Sequence, residues 1–175
     1  MQQKILFLDF DGPLHPTSAI QGLHSAPDER IFSARNLFCW AHHLETIFTS
    51  LPETQRQNTL IAAHSSWRRL AGLSQPLIRQ YLGPNLGRQY IGMTRPDLPR
   101  WESIQDMCNR GGFENFLIVD DAVEEFPADL PQLVVCDPLL GLSDHKVQNA
   151  IREWMASGEI PGEREKKQRR LVSAS

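Results

Sequence analysis

A chain of 175 residues suits one compact domain with a core of ordinary size, and 41% hydrophobic against 22% charged residues is a globular composition. A formal net charge of −3 excludes a protein built as a whole to attract nucleic acid or an acidic membrane, and leaves only local patches for that purpose. Three widely spaced cysteines, no apolar run of membrane-spanning length and no room for a signal peptide before the first strand lead to the expectation of a soluble, cytoplasmic protein with reduced thiols.

The first element is the apolar run Ile5-Leu6-Phe7-Leu8, which ends in Asp9-Phe10-Asp11-Gly12. An uninterrupted apolar run without alternation predicts a strand buried on both faces, as in a parallel sheet, whose ligands gather at the carboxyl ends of its strands. Asp9 and Asp11 are two apart, so on an extended chain they point to the same side, and Gly12 allows a sharp turn after them. Two converging carboxylates repel unless a cation is present or one keeps its proton, so the spacing points to a divalent metal, an acid/base pair, or both. A calcium loop is excluded by the strand-like run before Asp9 and by Pro13 and Pro16.

Residues 13–34, rich in Pro, Gly, Ser and His, read as a long loop or small flap beside this turn, with His15 and His24 expected to be solvated. Apolar residues at helical spacing predict a helix over 35–51, ended by Pro52. Thr59–Ala63 reads as a second buried strand that runs into His64-Ser65-Ser66-Trp67-Arg68-Arg69. Hydroxyls delivered at a helix start serve either as contacts to an oxyanion or as a simple N-cap. Helices are predicted over 66–73 and 75–82, a short strand over 88–93 and a further helix over 100–109, stopped by Gly111-Gly112.

Phe116-Leu117-Ile118-Val119 then leads into Asp120-Asp121, a second apolar strand ending in paired carboxylates. If the two strands are parallel, both acidic pairs lie at one edge of the sheet and can share a cation. A last strand is predicted over 133–136 and an amphipathic helix over 143–155 with Ser143 as its cap, followed from Gly158 by a charged tail read as solvated and flexible.

Four features therefore occur in order: Asp9-Phe10-Asp11-Gly12 after a strand, Ser65-Ser66 after a strand, Arg100 at a helix start, and Asp120-Asp121 after a strand. Together they resemble the haloacid dehalogenase (HAD) superfamily. The strings His64-Ser65-Ser66-Trp67-Arg68, Arg100-Trp101-Glu102-Ser103-Ile104 and Ile118-Val119-Asp120-Asp121 look more narrowly like the small HAD domains of RNA-repair (Swiss Army Knife) proteins. The resemblance implies an α/β, Rossmann-like three-layer sandwich with a mainly parallel five-stranded sheet over residues 1–157. The stretch between Asp11 and Ser65 is too short for a large cap domain, which predicts an open site.

The resemblance further implies an enzyme, a Mg²⁺-dependent phosphatase or phosphotransferase. Asp9 would be the nucleophile and Asp11 the general acid and base. Ser65, or Ser66 if the register slips by one, would hold a phosphoryl oxygen, with Arg68 and Gly12 as further substrate contacts. Arg100, or alternatively Arg95, would balance charge, and Asp9, Asp120, Asp121 and the backbone carbonyl of Asp11 would form the Mg²⁺ site. The partner implied is a phosphorylated substrate, such as a nucleic-acid end or a phosphoprotein, with no membrane involved. Two other readings compete: a receiver-like phosphoacceptor domain, and a catalytically silent module that binds nucleic acid through its basic tail.

Overall fold

The computed structural model describes residues 3–20, 36–70 and 73–163. Strand β1 (Lys4–Leu8) leads through α1 (Ala41–Ser50) and α2 (Glu53–Gln57) to β2 (Thr59–Ala63). Helices α3 (Gln75–Leu82) and α4 (Pro84–Gln89) connect to β3 (Tyr90–Met93). Helix α5 (Arg100–Gly111) then carries the chain to β4 (Asn115–Asp120), followed by β5 (Leu133–Val135) and α6 (His145–Ser157). The five strands are all parallel, in the order β3-β2-β1-β4-β5. Strand order therefore reverses beside β1, and the crevice between β1 and β4 is where an open α/β sheet binds its ligand.

Strand β1 is buried along its whole length, as its apolar run predicts. Successive side chains go to opposite faces, so Leu6 and Leu8 join one core with Leu44, Ile47, Ile78, Leu86 and Ile151, while Ile5 and Phe7 join a second with Ile104 and Cys108 of α5. The sheet is thus the middle layer, with α1, α3, α4 and α6 on one side and α5 on the other. Lys4 opens the strand with a buried ammonium that donates to the carbonyls of Trp154 and Met155 near the end of α6, and lies 5.2 Å from the centre of the Trp154 ring. Burial pushes its pKa down to about 8.

Several elements differ from the sequence reading. The helix expected over 35–51 begins at Ala41. Before it, Asn36 and Phe38 hold positive φ, and the Trp40 N–H donates to the Leu14 carbonyl, so the chain is pinned to the loop after β1 instead of continuing a helix. Among the described residues of the helix expected over 66–73, the turn Ser66–Arg69 is 3₁₀, and residues 71–72 lie outside the described residues. Pro84 at the first position starts α4 over residues partly read as strand. Asp144, not Ser143, caps α6 by accepting the Lys146 N–H at 2.8 Å, because Ser143 closes a preceding 3₁₀ turn. Ile160 packs on the first core, and Asn115 donates to the Gly158 carbonyl at 2.7 Å, so the segment after α6 begins docked. The tail beyond 163, the flap over 21–34 and His24 lie outside the described residues.

The loop after β1 is clamped from the far end of the chain. Leu142 N–H donates to the Pro13 carbonyl at 3.0 Å, and Gly141 holds φ of +44° with the Gly12 carbonyl oxygen 2.2 Å from where a Cβ would stand. A side chain at 141 meets backbone that has no room to yield. Gly141→Ala is expected to lower unfolding stability by about 3 kcal/mol, measured by urea denaturation, whereas Gly112→Ala, whose Cβ meets nothing within 4 Å, should cost only the left-handed backbone's own penalty of about 1–2 kcal/mol.

Candidate active site

Register assembles the site. Leu8 pairs with Ala63 on one side and Val119 on the other, so Asp9, His64 and Asp120 stand one step beyond three aligned residues. Aligned residues of parallel neighbours share a face, and these three continue the rows of Phe7, Ala62 and Ile118 toward the α5 side. There Arg100, the first residue of α5, meets them.

Arg100 is 8% exposed, and its Nη1 donates to Asp9 Oδ2 at 2.6 Å and to Asp120 Oδ2. Its Nε lies 2.9 Å from the carboxylate of half-exposed Glu125. A cation at a helix N-terminus opposes the helix dipole, so only the carboxylates facing it make this position favourable. Burial works against the guanidinium charge, but Asp9 and Asp120 outweigh it and raise its pKa above the usual arginine value. Ser103 donates to the Arg100 carbonyl at 2.7 Å, and its oxygen shares a hydrogen bond with the Thr94 hydroxyl at 3.0 Å, fixing the start of the helix.

Each carboxylate is separately held. Asp9 Oδ1 accepts the Phe10 N–H at 2.7 Å, and Asp120 Oδ1 accepts the Ala122 N–H at 2.8 Å. Burial and then the neighbouring Asp120 push the Asp9 pKa up, while Arg100, His64 and a hydrogen bond from Ser65 act in the opposite direction. Burial also acts to raise Asp120, but the hydrogen bond and attraction of His64, with Arg100 and the Ala122 N–H, hold it below the usual range.

Asp121 completes the cluster. Burial, then Asp9 and Asp120, push its pKa up to about 6. Its carboxylate sits over Gly12, where a Cβ would come within 2.6 Å of it, and Gly12 itself has φ of +90°. Glycine is needed there both for the turn and to leave room for this side chain. One oxygen from each of Asp9, Asp120 and Asp121 lies within 4.8 Å of the others. Three hard oxygen donors that resist being charged together suit a divalent cation such as Mg²⁺.

The remaining expected residues take different places. The Asp11 carboxylate is not in that cluster; the Trp67 indole and His15 hold it instead. Ser65 is fully buried and its oxygen also accepts the Trp67 N–H at 3.3 Å, so it caps the 3₁₀ turn and stays within influence of Asp9. Ser66 is exposed. Arg68 donates to the carbonyls of His64, Ser65 and Leu98, tying two loops together. Arg95 lies on the surface, paired with Asp97, whereas Arg100 is the arginine that reaches the carboxylates. His15, expected in solvent, is fully buried, because the loop turns it inward onto Asp11.

His64 was not singled out by its sequence position, yet it is fully buried with Nε2 2.7 Å from Asp120 Oδ2. Its place directly after a strand, matching Asp9 after β1, is the signal that could have found it.

A family model described as "HAD domain in Swiss Army Knife RNA repair proteins" matches residues 5–147, most of the chain and all of the residues above. The protein belongs to this family. Its all-parallel sheet and the acidic cluster at the switch point are those of a HAD fold, the scaffold of HAD-type hydrolases. No curated protein and no solved structure matches it. Among the described residues, no helix is long and apolar enough to cross a membrane.

The raised pKa of Asp121 has a thermodynamic consequence. A carboxyl that titrates higher in the folded state binds its proton more tightly there, so its contribution to stability is full below about pH 4 and is lost as pH rises through about 6. In the absence of divalent cations, Asp121→Asn should therefore melt at a higher temperature than the parent protein at pH 7.5, with the difference shrinking at pH 5. Millimolar Mg²⁺ should raise the melting temperature of the parent more than that of the variant; differential scanning fluorimetry reads both.

Proposed function

We propose that the protein is a Mg²⁺-dependent phosphatase that hydrolyses a phosphomonoester by way of an aspartyl-phosphate on Asp9. The observation that carries this reading is Arg100, one buried guanidinium shared by two strand-end carboxylates at the switch point of the sheet, with a third carboxylate beside them. Phosphoryl transfer needs in-line positioning and neutralisation of charge more than covalent assistance, and this arrangement is suited to both.

An oxygen of the Asp9 carboxylate bonds to phosphorus as the bond to the leaving oxygen breaks, and Asp11 gives that oxygen a proton. Asp11 then takes a proton from a water molecule whose oxygen attacks the phosphoryl group, so that Asp9 returns as a carboxylate and inorganic phosphate departs. Ser65 holds a phosphoryl oxygen, and Arg100 opposes the rise in the Asp9 pKa that burial and Asp120 cause. Asp9, Asp120, Asp121 and the Asp11 carbonyl would hold Mg²⁺, which when bound neutralises phosphoryl charge.

The substrate we infer is the terminal phosphate of a nucleic acid. The family description names RNA repair proteins. Arg69 and Arg95 are exposed on the two loops that lead away from the site, and burial together with Arg69 and Arg100 lowers the Arg68 pKa, as in a crowd of guanidinium groups.

With Mg²⁺ the parent protein should hydrolyse p-nitrophenyl phosphate. Asp9→Asn should lower kcat by more than about 10³-fold and Arg100→Ala by about 10²-fold or more; full activity in Asp9→Asn would sink the mechanism. In a panel of 3′- and 5′-phosphorylated oligonucleotides, sugar phosphates and phosphopeptides, oligonucleotide ends should be preferred, with a preference that falls as salt rises. Equal turnover of all three classes would refute the substrate assignment.

A further inference from the structure

Asp11 sits in a mount made of aromatic nitrogen donors. Trp67 Nε1 lies 3.0 Å from both of its carboxylate oxygens, and His15 Nε2 lies 3.0 Å from Oδ1. Both rings are buried, His15 completely and Trp67 to within 2%. The other nitrogen of His15, Nδ1, faces the Phe38 N–H at 3.5 Å. A backbone N–H can only donate, so Nδ1 is assigned as the acceptor and Nε2 as the nitrogen that donates to Asp11.

The rest of the neighbourhood keeps this mount from moving. The Gly12 N–H donates to the His15 carbonyl at 2.9 Å, closing the loop that carries both Asp11 and His15. Phe38 holds φ of +54°, unusual for a residue with a bulky side chain, and its ring packs 4.8 Å from Phe10, 4.9 Å from Tyr81 and 5.6 Å from His15, centre to centre. Strain retained in this way belongs with a backbone that must aim a group, here the Phe38 N–H at His15.

On the reading that Asp11 is the acid and base of a phosphatase, we infer that His15 and Trp67 are positioning residues that decide which oxygen of Asp11 handles the proton. Oδ1 accepts from both rings, whereas Oδ2 has only its share of the indole N–H among the described residues. The proton is therefore carried on Oδ2. It passes from Oδ2 to the leaving oxygen as the P–O bond breaks, and Oδ2 later takes a proton from the attacking water; neither ring gains or loses one. The two rings together fix the orientation of the carboxyl, so that the same oxygen serves in both proton transfers.

This arrangement predicts a dependence on the leaving group that a merely structural role would not produce. A dinitrophenolate leaves without a proton, and an alkoxide does not. The test compares kcat for 2,4-dinitrophenyl phosphate and for an alkyl phosphomonoester in the parent protein, His15→Leu, His15→Gln, Trp67→Phe and Asp11→Asn, with melting temperatures recorded for each. His15→Leu and Trp67→Phe should lose about 10- to 100-fold more activity on the alkyl substrate than on the dinitrophenyl one. His15→Gln, which can again present an N–H near the position of Nε2, should recover most of that loss.

In the Asp11→Asn background His15→Leu should have no further effect. Equal losses on both substrates, or losses that add to that of Asp11→Asn, would overturn the inference. Trp67→Phe keeps the aromatic packing and carries the test alone if His15→Leu does not fold. A parent protein without phosphatase activity would remove the reading beneath the inference. An active parent, inactive as Asp9→Asn, whose His15 and Trp67 variants show no leaving-group bias would overturn the inference and leave that reading standing.

Discussion

The shared guanidinium of Arg100 is the interaction on which the rest of the site depends. Asp9 and Asp120 end neighbouring strands in a buried crevice, where two carboxylates without a cation would be driven to take up protons. Arg100 lets both stay in place, and its own burial is tolerable only because they surround it. Such a pair adds little net stability compared with an apolar core, but removing one partner leaves charge stranded, at a cost of about 3–5 kcal/mol. The position also breaks a local rule, since arginine is unfavourable at a helix start, and broken local rules concentrate at sites kept for function.

That interaction rests in turn on the sheet. Strand β1 is central and buried on both faces, so its alternate residues are committed to two different cores. A slip of one residue against β2 or β4 would exchange those sets, which makes the register strongly specified. Specified register is what brings Asp9, His64 and Asp120 level with one another. Packing of ordinary apolar residues thereby does the positioning on which the charged site relies.

Asp9 and Asp11 are two residues apart and live in different surroundings. Asp9 belongs to a charged half made with Asp120, Asp121 and Arg100, while Asp11 is received by His15 and Trp67 amid Phe10 and Phe38. Carboxylates in contrasting environments are suited to different roles, one attacking and one moving protons. The loop between them and the aromatic group is closed by elements from far along the chain, with Leu142 and Trp40 both donating into it.

Much of this could be read in the residues alone. Apolar runs that stop at Asp9 and Asp120 announce parallel strands with acidic ends, and Gly112 after α5 announces its stop, because strand burial and helix termination are local in chemistry. The pairing of Arg100 rather than Arg95 with the carboxylates could only be argued from a helix start, and the first residue of α5 is where the structure places it. What local pattern did not contain were the partners distant in sequence. His64 on Asp120, Trp67 on Asp11 and the late start of α1 each depend on where another segment lies, 56 residues away for both the His64–Asp120 and the Trp67–Asp11 bonds, and even His15, close to Asp11 in sequence, is turned onto it only by the closed loop. Residue types and their spacing determined which groups stand at the strand ends. Only the tertiary structure, by closing loops over buried donors, decided which nitrogen each carboxylate would meet.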